Sequence, residues 1–253
     1  MILALDVGNT NIVIGCIDDG KIIFDGRLTT HSYKTDMEFA VMLKNILTIN
    51  NIDVKSFDGA IISSVVPPID KALKTAVELV IGKKPITLDG CEGLKVALDD
   101  PSQLGSDLIV GAVTVLNDFP PPIILIDMGT ATTIFVIDKT GTYIGGAIIP
   151  GVMISQQALS ETTSLLPSIS LETPESVIGK NTIDAMQSGA ILGSASMLDG
   201  MIDKIEEELG EKTTVVATGG LSKSIVKNCR HDIIYDADLL LRGLWLIYKK
   251  HTS

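Results

Sequence analysis

An internal sequence repeat constrains the fold of this chain more than any other feature. Residues 3–10 read LALDVGNT, and residues 124–131, about 120 positions later, read ILIDMGTA. Each segment is an apolar run that leads into Asp-x-Gly, which is typical of a buried strand followed by a tight turn. One such segment in each half of the chain predicts two related lobes that arose by duplication.

Both halves alternate predicted strands with predicted helices. Two β-branched runs follow each Asp-x-Gly, at residues 12–17 and 21–27 in the first half and at 134–137 and 142–149 in the second. Shorter apolar runs predict further strands at 59–63, 85–88 and 214–217. Capping residues and apolar periodicity predict helices at 35–50, 67–82, 102–117, 181–209 and 238–251, and one near Leu221. This alternation is typical of an α/β protein.

A proline run at residues 120–122 marks the expected boundary between the halves, because it cannot continue the helix before it. We therefore expect lobes at residues 1–118 and 119–253, with the helix at 238–251 packing back on the first lobe. Gly189, Gly193 and Gly200 lie in the long predicted helix, where glycine permits close approach of a neighbouring group. We expect packing contacts at these three positions, and the face with Gly189 and Gly193 is equally suited to packing within one chain or against a second subunit.

The charge and the cysteine content exclude several classes of protein. A formal net charge of −11 opposes binding to nucleic acid and to anionic membranes. The chain begins without a basic segment and has no uncharged apolar run of membrane-spanning length, so we expect a cytoplasmic protein with no nucleic-acid or membrane partner. The cysteines and histidines occur in no CxxC or paired-ligand spacing, which argues against a disulfide framework and structural zinc.

The two Asp-x-Gly turns carry groups that suit phosphate chemistry. Backbone N–H groups beside a glycine, together with Thr and Asn side chains, suit phosphate oxygens. A carboxylate such as Asp6 is favourable beside phosphate if Mg²⁺ lies between them, directly or through water. Either motif alone is equally well explained as an ordinary hairpin turn. The presence of both favours a site that binds a polyphosphate from two sides. The sequence lacks GxxxxGK[ST], GxGxxG and GxSxG, which argues against a P-loop, a Rossmann dinucleotide site and a hydrolase nucleophile elbow.

A third glycine motif completes the order of motifs in a known superfamily. Residues 217–220 read ATGG and follow the strand predicted at 214–217. Two phosphate motifs followed by this adenosine-side glycine pair resemble the actin, hexokinase and sugar-kinase superfamily. The resemblance implies an α/β fold of two ribonuclease-H-like lobes with a cleft between them.

Finer motifs resemble those of the type III pantothenate kinases. The motifs stand in that family's order along about residues 6–245: DVGNT at 6–10, GSDL at 105–108, DMGTATT at 127–133, GGAIIPG at 145–151 and GKNT at 179–182. The resemblance implies ATP-dependent phosphorylation of pantothenate to 4'-phosphopantothenate, the first step of coenzyme A biosynthesis. It also implies a homodimer whose active site borders the subunit interface.

The same resemblance implies roles for individual residues. Asp107 is the expected general base for the pantothenate hydroxyl, Asp127 the expected ligand of a monovalent cation, K⁺ or NH₄⁺, and Asp6 the expected ligand of Mg²⁺, directly or through water. The residues expected at ATP and its phosphates are Asp6, Val7, Gly8, Asn9, Thr10, Asn11, Ile12, Val13, Gly129, Thr130, Gly219 and Gly220. The residues expected at the substrate are Leu98, Gly105, Ser106, Asp107, Leu108 and Thr182.

Alternatives stay open for some of these residues and for the function. Without the family, Asp107 is equally a helix-terminal charge, and Thr182 is better explained as the first turn of a helix capped by Asn181. Leu108 replaces the family's usual arginine and Leu98 its usual tyrosine, so polar contacts are lost. Two other functions are therefore open. One is a superfamily enzyme that acts on another small alcohol or hydrolyses a phosphoanhydride, and the other is a catalytically weak regulatory homologue.

Overall fold

Two sheets, one in each half of the duplicated sequence, form the framework of the protein. The computed structural model describes residues 1–30, 33–88 and 90–252. The strands are β1 (Ile2–Val7), β2 (Asn11–Asp18), β3 (Lys21–Thr29), β4 (Gly59–Ser64), β5 (Ile86–Thr87), β6 (Lys95–Val96), β7 (Ile123–Met128), β8 (Ala131–Ile137), β9 (Thr142–Pro150), β10 (Thr214–Thr218) and β11 (Ile234–Tyr235). The helices are α1 (Asp36–Ile49), α2 (Pro67–Ile81), α3 (Ser106–Asp118), α4 (Val152–Thr162), α5 (Thr182–Ser188), α6 (Ser194–Leu209), α7 (Ser222–Val226) and α8 (Leu239–Thr252). A π-helical segment, Gly189–Gly193, joins α5 to α6.

The first unit contains a five-stranded sheet in the order β3-β2-β1-β4-β5. β1, β2 and β3 form an antiparallel meander, and β4 lies parallel to β1 on its other side. Leu3, Leu5 and Val7 pack with α1 and α2, whereas Ile2 and Ala4 pack with α3 and α8. Since side chains alternate along a strand, the face of β1 that carries Asp6 is the face covered by α3 and α8.

The second unit contains a six-stranded sheet in the order β11-β10-β7-β8-β9-β6. β7, β8 and β9 repeat the antiparallel meander, and β10 lies parallel to β7. Ile124, Ile126 and Met128 pack with the π-helical segment, α6 and α7. Asp127 therefore faces the opposite side of this sheet.

Local sequence signals place the ends of α1 and α2 close to where they were predicted. Thr35 Oγ1 accepts the N–H of Glu38 at 3.3 Å, and the Thr35 N–H donates to Glu38 Oε2 at 2.8 Å, which forms a complete capping box. α2 begins at Pro67 and is ended by Gly82, whose left-handed φ is 71°.

Three predicted elements differ from the structure. The helix predicted at 102–117 begins only at Ser106, because Pro101–Gln103 form a separate 3-10 turn capped by Asp100. The strand predicted at 85–88 is confined to Ile86–Thr87, and the helix predicted at 181–209 is interrupted by the π-helical segment. The sequence analysis missed α4, β6 and β11. Only Val152 of α4 is buried, so its helical periodicity is weak, and the two strands are too short to stand out.

The packing contacts predicted at Gly189, Gly193 and Gly200 are not found. A Cβ built at each of these glycines would meet no atom within 4 Å among the described residues. Gly189 and Gly193 instead line a pocket. For packing within one chain the prediction was wrong, because a glycine in a helix also permits empty space.

The division into units follows strand pairing more closely than chain order. The first unit comprises Met1–Leu94, Asp99–Asn117 and Asp238–Ser253, and α8 belongs to it because Leu241, Leu244 and Ile247 pack with residues of β1. The second comprises Lys95–Leu98 and Asp118–Ala237, since β6 pairs with β9. The expected division at 118 had placed residues 95–98 with the first half. In the described part of the chain, no helix has the length and apolar character needed to cross a bilayer.

Candidate active site

The first Asp-x-Gly turn, residues 8–11, is closed by its own backbone and tied down by Thr30. The Gly8 N–H donates to the Asn11 carbonyl at 3.0 Å. The Thr30 N–H donates to the Thr10 carbonyl at 2.9 Å, and Thr30 Oγ1 donates to the Gly8 carbonyl at 2.7 Å. Asn9 and Thr10 are exposed at the tip of the turn. The turn is therefore held in one shape with its polar side chains facing solvent.

Asp6 lies at the end of β1 on the face covered by α3 and α8. Only 8% of its surface is exposed. Its register partners are Val13 on β2 and the buried Ser63 on β4. Side chains that are partners in register point to the same face of a sheet. The Asp6 carboxylate thus lies between an apolar side chain and a hydroxyl.

Ser63 links this strand end to the start of α3. Ser63 Oγ donates to Ser106 Oγ at 3.0 Å, and Ser106 Oγ donates to the Ser64 carbonyl at 2.9 Å. The hydroxyl of Ser106, a residue expected at the substrate, is therefore directed toward β4 and is already bonded on both sides. Its role in this structure is to fix the N-terminus of α3, which places Asp107 near the carboxyl ends of β1 and β4.

Asp107 occupies the first turn of α3. Burial raises the pKa of its carboxyl above the ordinary value, and the N–H groups of Leu108 and of Asp107 itself partly offset that rise. The Leu108 N–H donates to Asp107 Oδ1 at 2.8 Å. A Cβ on Gly105 would lie 2.6 Å from the same oxygen, so Gly105 leaves room for this carboxylate position. A carboxylate with a raised pKa in a partly dry position is suited to accepting a proton.

The second Asp-x-Gly turn, residues 129–131, is held by backbone contacts from two other segments. The Gly129 N–H donates to the Ala131 carbonyl at 3.0 Å, and the Gly151 N–H donates to the Thr130 carbonyl at 3.2 Å. A Cβ on Gly151 would collide with that carbonyl oxygen. Gly219, at φ +99°, lies against the backbone of Met128, where a Cβ would come within 2.5 Å of the carbonyl oxygen. Both glycines are required for this close approach.

Oxygen-bearing side chains flank Asp127 on both neighbouring strands. Its register partners are Thr133 on β8 and Thr218 on β10, and Thr218 is buried. Thr133 Oγ1 is also buried, and it has no hydrogen-bond partner among the described residues. A carboxylate beside an unsatisfied hydroxyl oxygen is a donor set that suits a hard cation.

The second unit also contains a pocket of about 690 Å³, and Thr182 is one of its lining residues. Thr182 is exposed in the first turn of α5, where Asn181 Oδ1 caps the helix by accepting the Asp184 N–H at 2.9 Å. Gln156 lines the same pocket, and its buried Oε1 has no hydrogen-bond partner in the described chain. None of the described residues that line the pocket is charged. The pocket therefore suits a neutral part of a ligand.

Comparison with known proteins identifies the family. The type III pantothenate kinase family matches residues 2–204 of the chain. A relative from Exiguobacterium sp. named type III pantothenate kinase is 40% identical over 255 residues, which cover 100% of this chain and 100% of the relative. The chain belongs to the type III pantothenate kinase family.

Solved structures agree with this family at the level of the fold. A Campylobacter jejuni protein described as a Baf family transcriptional activator is 20% identical, covers 99% of this chain and 98% of its own, and has a TM-score of 0.63. A Porphyromonas gingivalis protein described as an N-acetylglucosamine kinase is 13% identical, covers 100% of both chains and has a TM-score of 0.54. The predicted α/β fold class with two ribonuclease-H-like lobes is confirmed at the level of the fold.

Two of the residues expected to contact ATP have side chains that are buried in the core of the first unit. Val7 and Ile12 are 1% and 0% exposed and belong to the core under α1 and α2. Alternation along β1 and β2 directs these side chains inward, so only their backbone groups are available to a ligand. Val13, Gly129 and the remaining turn residues stay accessible at least in part.

Leu98 and Leu108, which depart from the family pattern, are both half-buried. Leu98 follows β6, and its Cδ2 lies 3.7 Å from the position that a Cβ would take on Gly145. Leu108 is in the first turn of α3, where its N–H supports Asp107. Neither side chain supplies a polar group.

Three side chains of the candidate site were missed in the sequence analysis: Thr30, Ser63 and Thr133. Ser63 ends the strand predicted at 59–63 and Thr133 ends the DMGTATT motif, and strand register places them beside Asp6 and Asp127. Thr30 follows β3 and reaches the first turn through its hydrogen bonds to Gly8 and Thr10. A hydroxyl residue directly opposite a motif aspartate is the signal that would have identified Ser63 and Thr133.

Proposed function

We propose that the chain transfers the γ-phosphate of ATP to the primary hydroxyl of pantothenate, forming 4'-phosphopantothenate and ADP. The observation that carries the proposal is the setting of Asp107, held at the start of α3 by the Ser63–Ser106 hydrogen bond, in a member of the type III pantothenate kinase family. The hydroxyl oxygen attacks the γ-phosphorus, the bond to the β–γ bridging oxygen breaks, and the hydroxyl proton passes to Asp107.

The two Asp-x-Gly turns are proposed to hold the phosphates of ATP. Asn9, Thr10 and Thr130 are exposed at the turn tips, where their polar groups can meet phosphate oxygens. The described residues contain no group of three or more His, Cys, Asp or Glu able to hold a metal alone. This fits Mg²⁺ that arrives with ATP and keeps most of its ligands from phosphate and water, with Asp6 holding it directly or through water.

The monovalent cation, K⁺ or NH₄⁺, is proposed to bind at Asp127. The buried and unpartnered Thr133 Oγ1 on the adjacent strand supports this assignment, because a cation would satisfy it. A cation here would supply positive charge near the phosphates that the second turn holds. On the substrate side, Gly105 gives space to Asp107, and Thr182 offers a hydroxyl to the pantothenate end.

The predicted homodimer and cytoplasmic location are part of the same proposal. Ile148, Leu165 and Ile178 of the second unit are 78%, 88% and 75% exposed. The proposed dimer requires these side chains to belong to one continuous patch, because singly scattered apolar residues are normal on a protein surface. Light scattering on the purified chain measures whether it forms a dimer, and a mass of one chain at micromolar concentration would contradict the dimer.

The experiment that tests the function is ADP release from ATP with pantothenate as acceptor, in Mg²⁺ and K⁺. We expect pantothenate-dependent release in the wild type and a loss of about 10²–10⁴-fold in Asp107→Asn, because the amide keeps the shape but cannot take the proton. Asp25→Asn, an exposed site on β3, is the matched control and should retain wild-type rates.

The outcomes separate the three functions that the sequence left open. ATP binding without turnover of pantothenate or other alcohols would favour a regulatory homologue. Turnover of another small alcohol in place of pantothenate would assign a different substrate, with Leu98 and Leu108 as the first residues to exchange. Full activity of Asp107→Asn would reject Asp107 as the base.

A further inference from the structure

Two buried carboxylates on α6 hold the ends of one continuous segment of the second unit. Asp199 is 3% exposed and accepts the Arg230 N–H at 2.9 Å on each carboxylate oxygen. It also accepts the His231 N–H at 3.1 Å, and Arg230 Nε lies 3.5 Å away. A carboxylate that accepts several backbone N–H groups is a strong anchor for the chain that carries them.

Glu206, two turns further along α6, holds the other end of that segment. It is 7% exposed and accepts the Thr213 N–H at 2.9 Å and the Thr213 hydroxyl at 3.1 Å. Lys212 Nζ lies 2.6 Å from its other oxygen. Burial alone would raise the pKa of Glu206, but the bonds from Lys212 and Thr213 hold that pKa below its ordinary value. The carboxylate therefore stays ionised at neutral pH.

The segment between these anchors contains β10, the glycine pair Gly219–Gly220 and α7. Gly219 contacts the backbone of Met128, the middle residue of the second Asp-x-Gly motif. β10 fixes the start of this glycine turn through its pairing with β7, where Thr218 is the partner of Asp127. After the glycines, α7 has only five residues and leads directly to the Asp199 anchor. β10 therefore restrains the chain before the glycine pair, and Asp199 restrains the chain after it.

We propose that Asp199 is a positioning residue for the nucleotide: it holds the chain after α7 and thereby keeps Gly219 against the backbone of Met128 in the second Asp-x-Gly motif. The inference rests on the proposed function and on the placement of Gly219 and Gly220 at the adenosine side of ATP, which the superfamily resemblance implies. In this role Asp199 acts through the backbone that it holds and does not contact the nucleotide. Its effect should therefore appear in nucleotide affinity and not in the chemical step.

The test compares Asp199→Asn with Asp203→Asn, one turn further along α6. Asp203 is half exposed and pairs with two side chains, with Arg230 Nη2 at 3.0 Å and His231 Nε2 at 2.8 Å. We expect Asp199→Asn to raise the KM for ATP and the Kd for Mg-ADP about tenfold, since a charged acceptor of backbone N–H groups is lost. The KM for pantothenate and kcat at saturating ATP should stay within about twofold, and Asp203→Asn should change each constant by less than about twofold.

Either of two results would overturn the inference. One is an unchanged Kd for Mg-ADP in a folded Asp199→Asn variant, and the other is a parallel rise in both KM values, which would indicate general loosening. The Kd arm needs no turnover, so it is informative even if the wild type fails to phosphorylate pantothenate. A wild type that binds nucleotide but lacks kinase activity would refute the proposed function and leave this inference standing.

Hydrogen exchange on the wild type covers the case in which Asp199→Asn does not fold. If the anchor and the nucleotide stabilise the same arrangement, binding of Mg-ADP must stabilise the anchor in return. We expect slower exchange of the Arg230 and His231 amides when Mg-ADP is added. Equal exchange with and without Mg-ADP would contradict the coupling.

Discussion

The two Asp-x-Gly turns begin with the same motif but are built differently. In the first unit, residues 8–11 connect the paired residues Val7 and Ile12, whereas in the second only residues 129–131 connect Met128 and Thr132. The second hairpin is therefore one residue tighter. Thr30 holds the first turn through both its backbone N–H and its hydroxyl, while only backbone atoms, those of Gly151 and Gly219, lie against the second motif.

The two aspartates of these motifs also have different neighbours on the adjacent strands. Asp6 has Val13 and Ser63 as register partners, and Ser63 is committed to Ser106. Asp127 has threonines on both sides, and the Thr133 hydroxyl is uncommitted in the described structure. The first motif is thus connected to the proposed base, and the second has the oxygen-rich setting that the proposed cation site requires.

Neutralising each aspartate separately should distinguish the roles of the two turns most clearly. Asp127→Asn should abolish the stimulation by K⁺ over Na⁺ and lower activity by about 10–100-fold, because a charged ligand of the cation is lost. Asp6→Asn should lower activity as well but leave the K⁺ stimulation ratio unchanged. Steady-state rates in matched K⁺ and Na⁺ buffers measure both effects. Equal cation dependence in the two variants would remove the proposed difference between the turns.

A smaller effect is expected at the uncommitted hydroxyl. Thr133→Val keeps the shape of the side chain and should raise the K⁺ concentration for half-maximal activity by about fivefold, as expected for the loss of one oxygen ligand. The matched change is Val13→Thr, which adds a hydroxyl at the equivalent place beside Asp6 and should leave the K⁺ response unchanged. If Thr133→Val only raises Tm, the hydroxyl is an unsatisfied group that no cation uses.

The proposed base should also make the first unit less stable at neutral pH. Folding raises the pKa of Asp107 through burial, so the protonated form is favoured in the folded state and the ionised form is penalised. Asp107→Asn should therefore have a higher Tm than the wild type at pH 8. The difference should shrink as the pH falls through the raised pKa and vanish below the ordinary aspartate range, where the wild type is protonated as well. Calorimetry across pH tests this, and a difference that grows toward acid would contradict it.

The smallest effect concerns the side chain that ties the first turn. Thr30→Val removes the hydrogen bond to the Gly8 carbonyl and should lower the free energy of unfolding by about 1 kcal/mol. The KM for ATP should rise about two- to fivefold, since the turn loses one of its restraints. The neighbouring exposed Thr29 provides the control, as Thr29→Val should leave both quantities unchanged. An unchanged KM would mean that the backbone bonds alone fix the turn.

Much of this architecture is encoded locally and was predictable. The strand-turn motifs at Asp6 and Asp127, the capping box at Thr35 and the end of α2 at Gly82 depend on residues a few positions apart. The hydroxyl network was not predictable, because Ser63 and Ser106 are 43 positions apart and meet only through tertiary packing. The empty space at Gly189 and Gly193 was hidden for a similar reason: a glycine in a sequence does not reveal what its missing side chain would have met.

The contact of Gly151 and Gly219 with the second turn bears on how this enzyme family can be re-engineered. At both positions the main chain itself touches the turn, and any Cβ would collide with it. Random mutagenesis should therefore return few active variants there, whereas the side-chain contact at Thr30 offers graded substitutions. A library that aims to change the affinity for the phosphates of ATP gains more from the first turn, and the second is best kept constant.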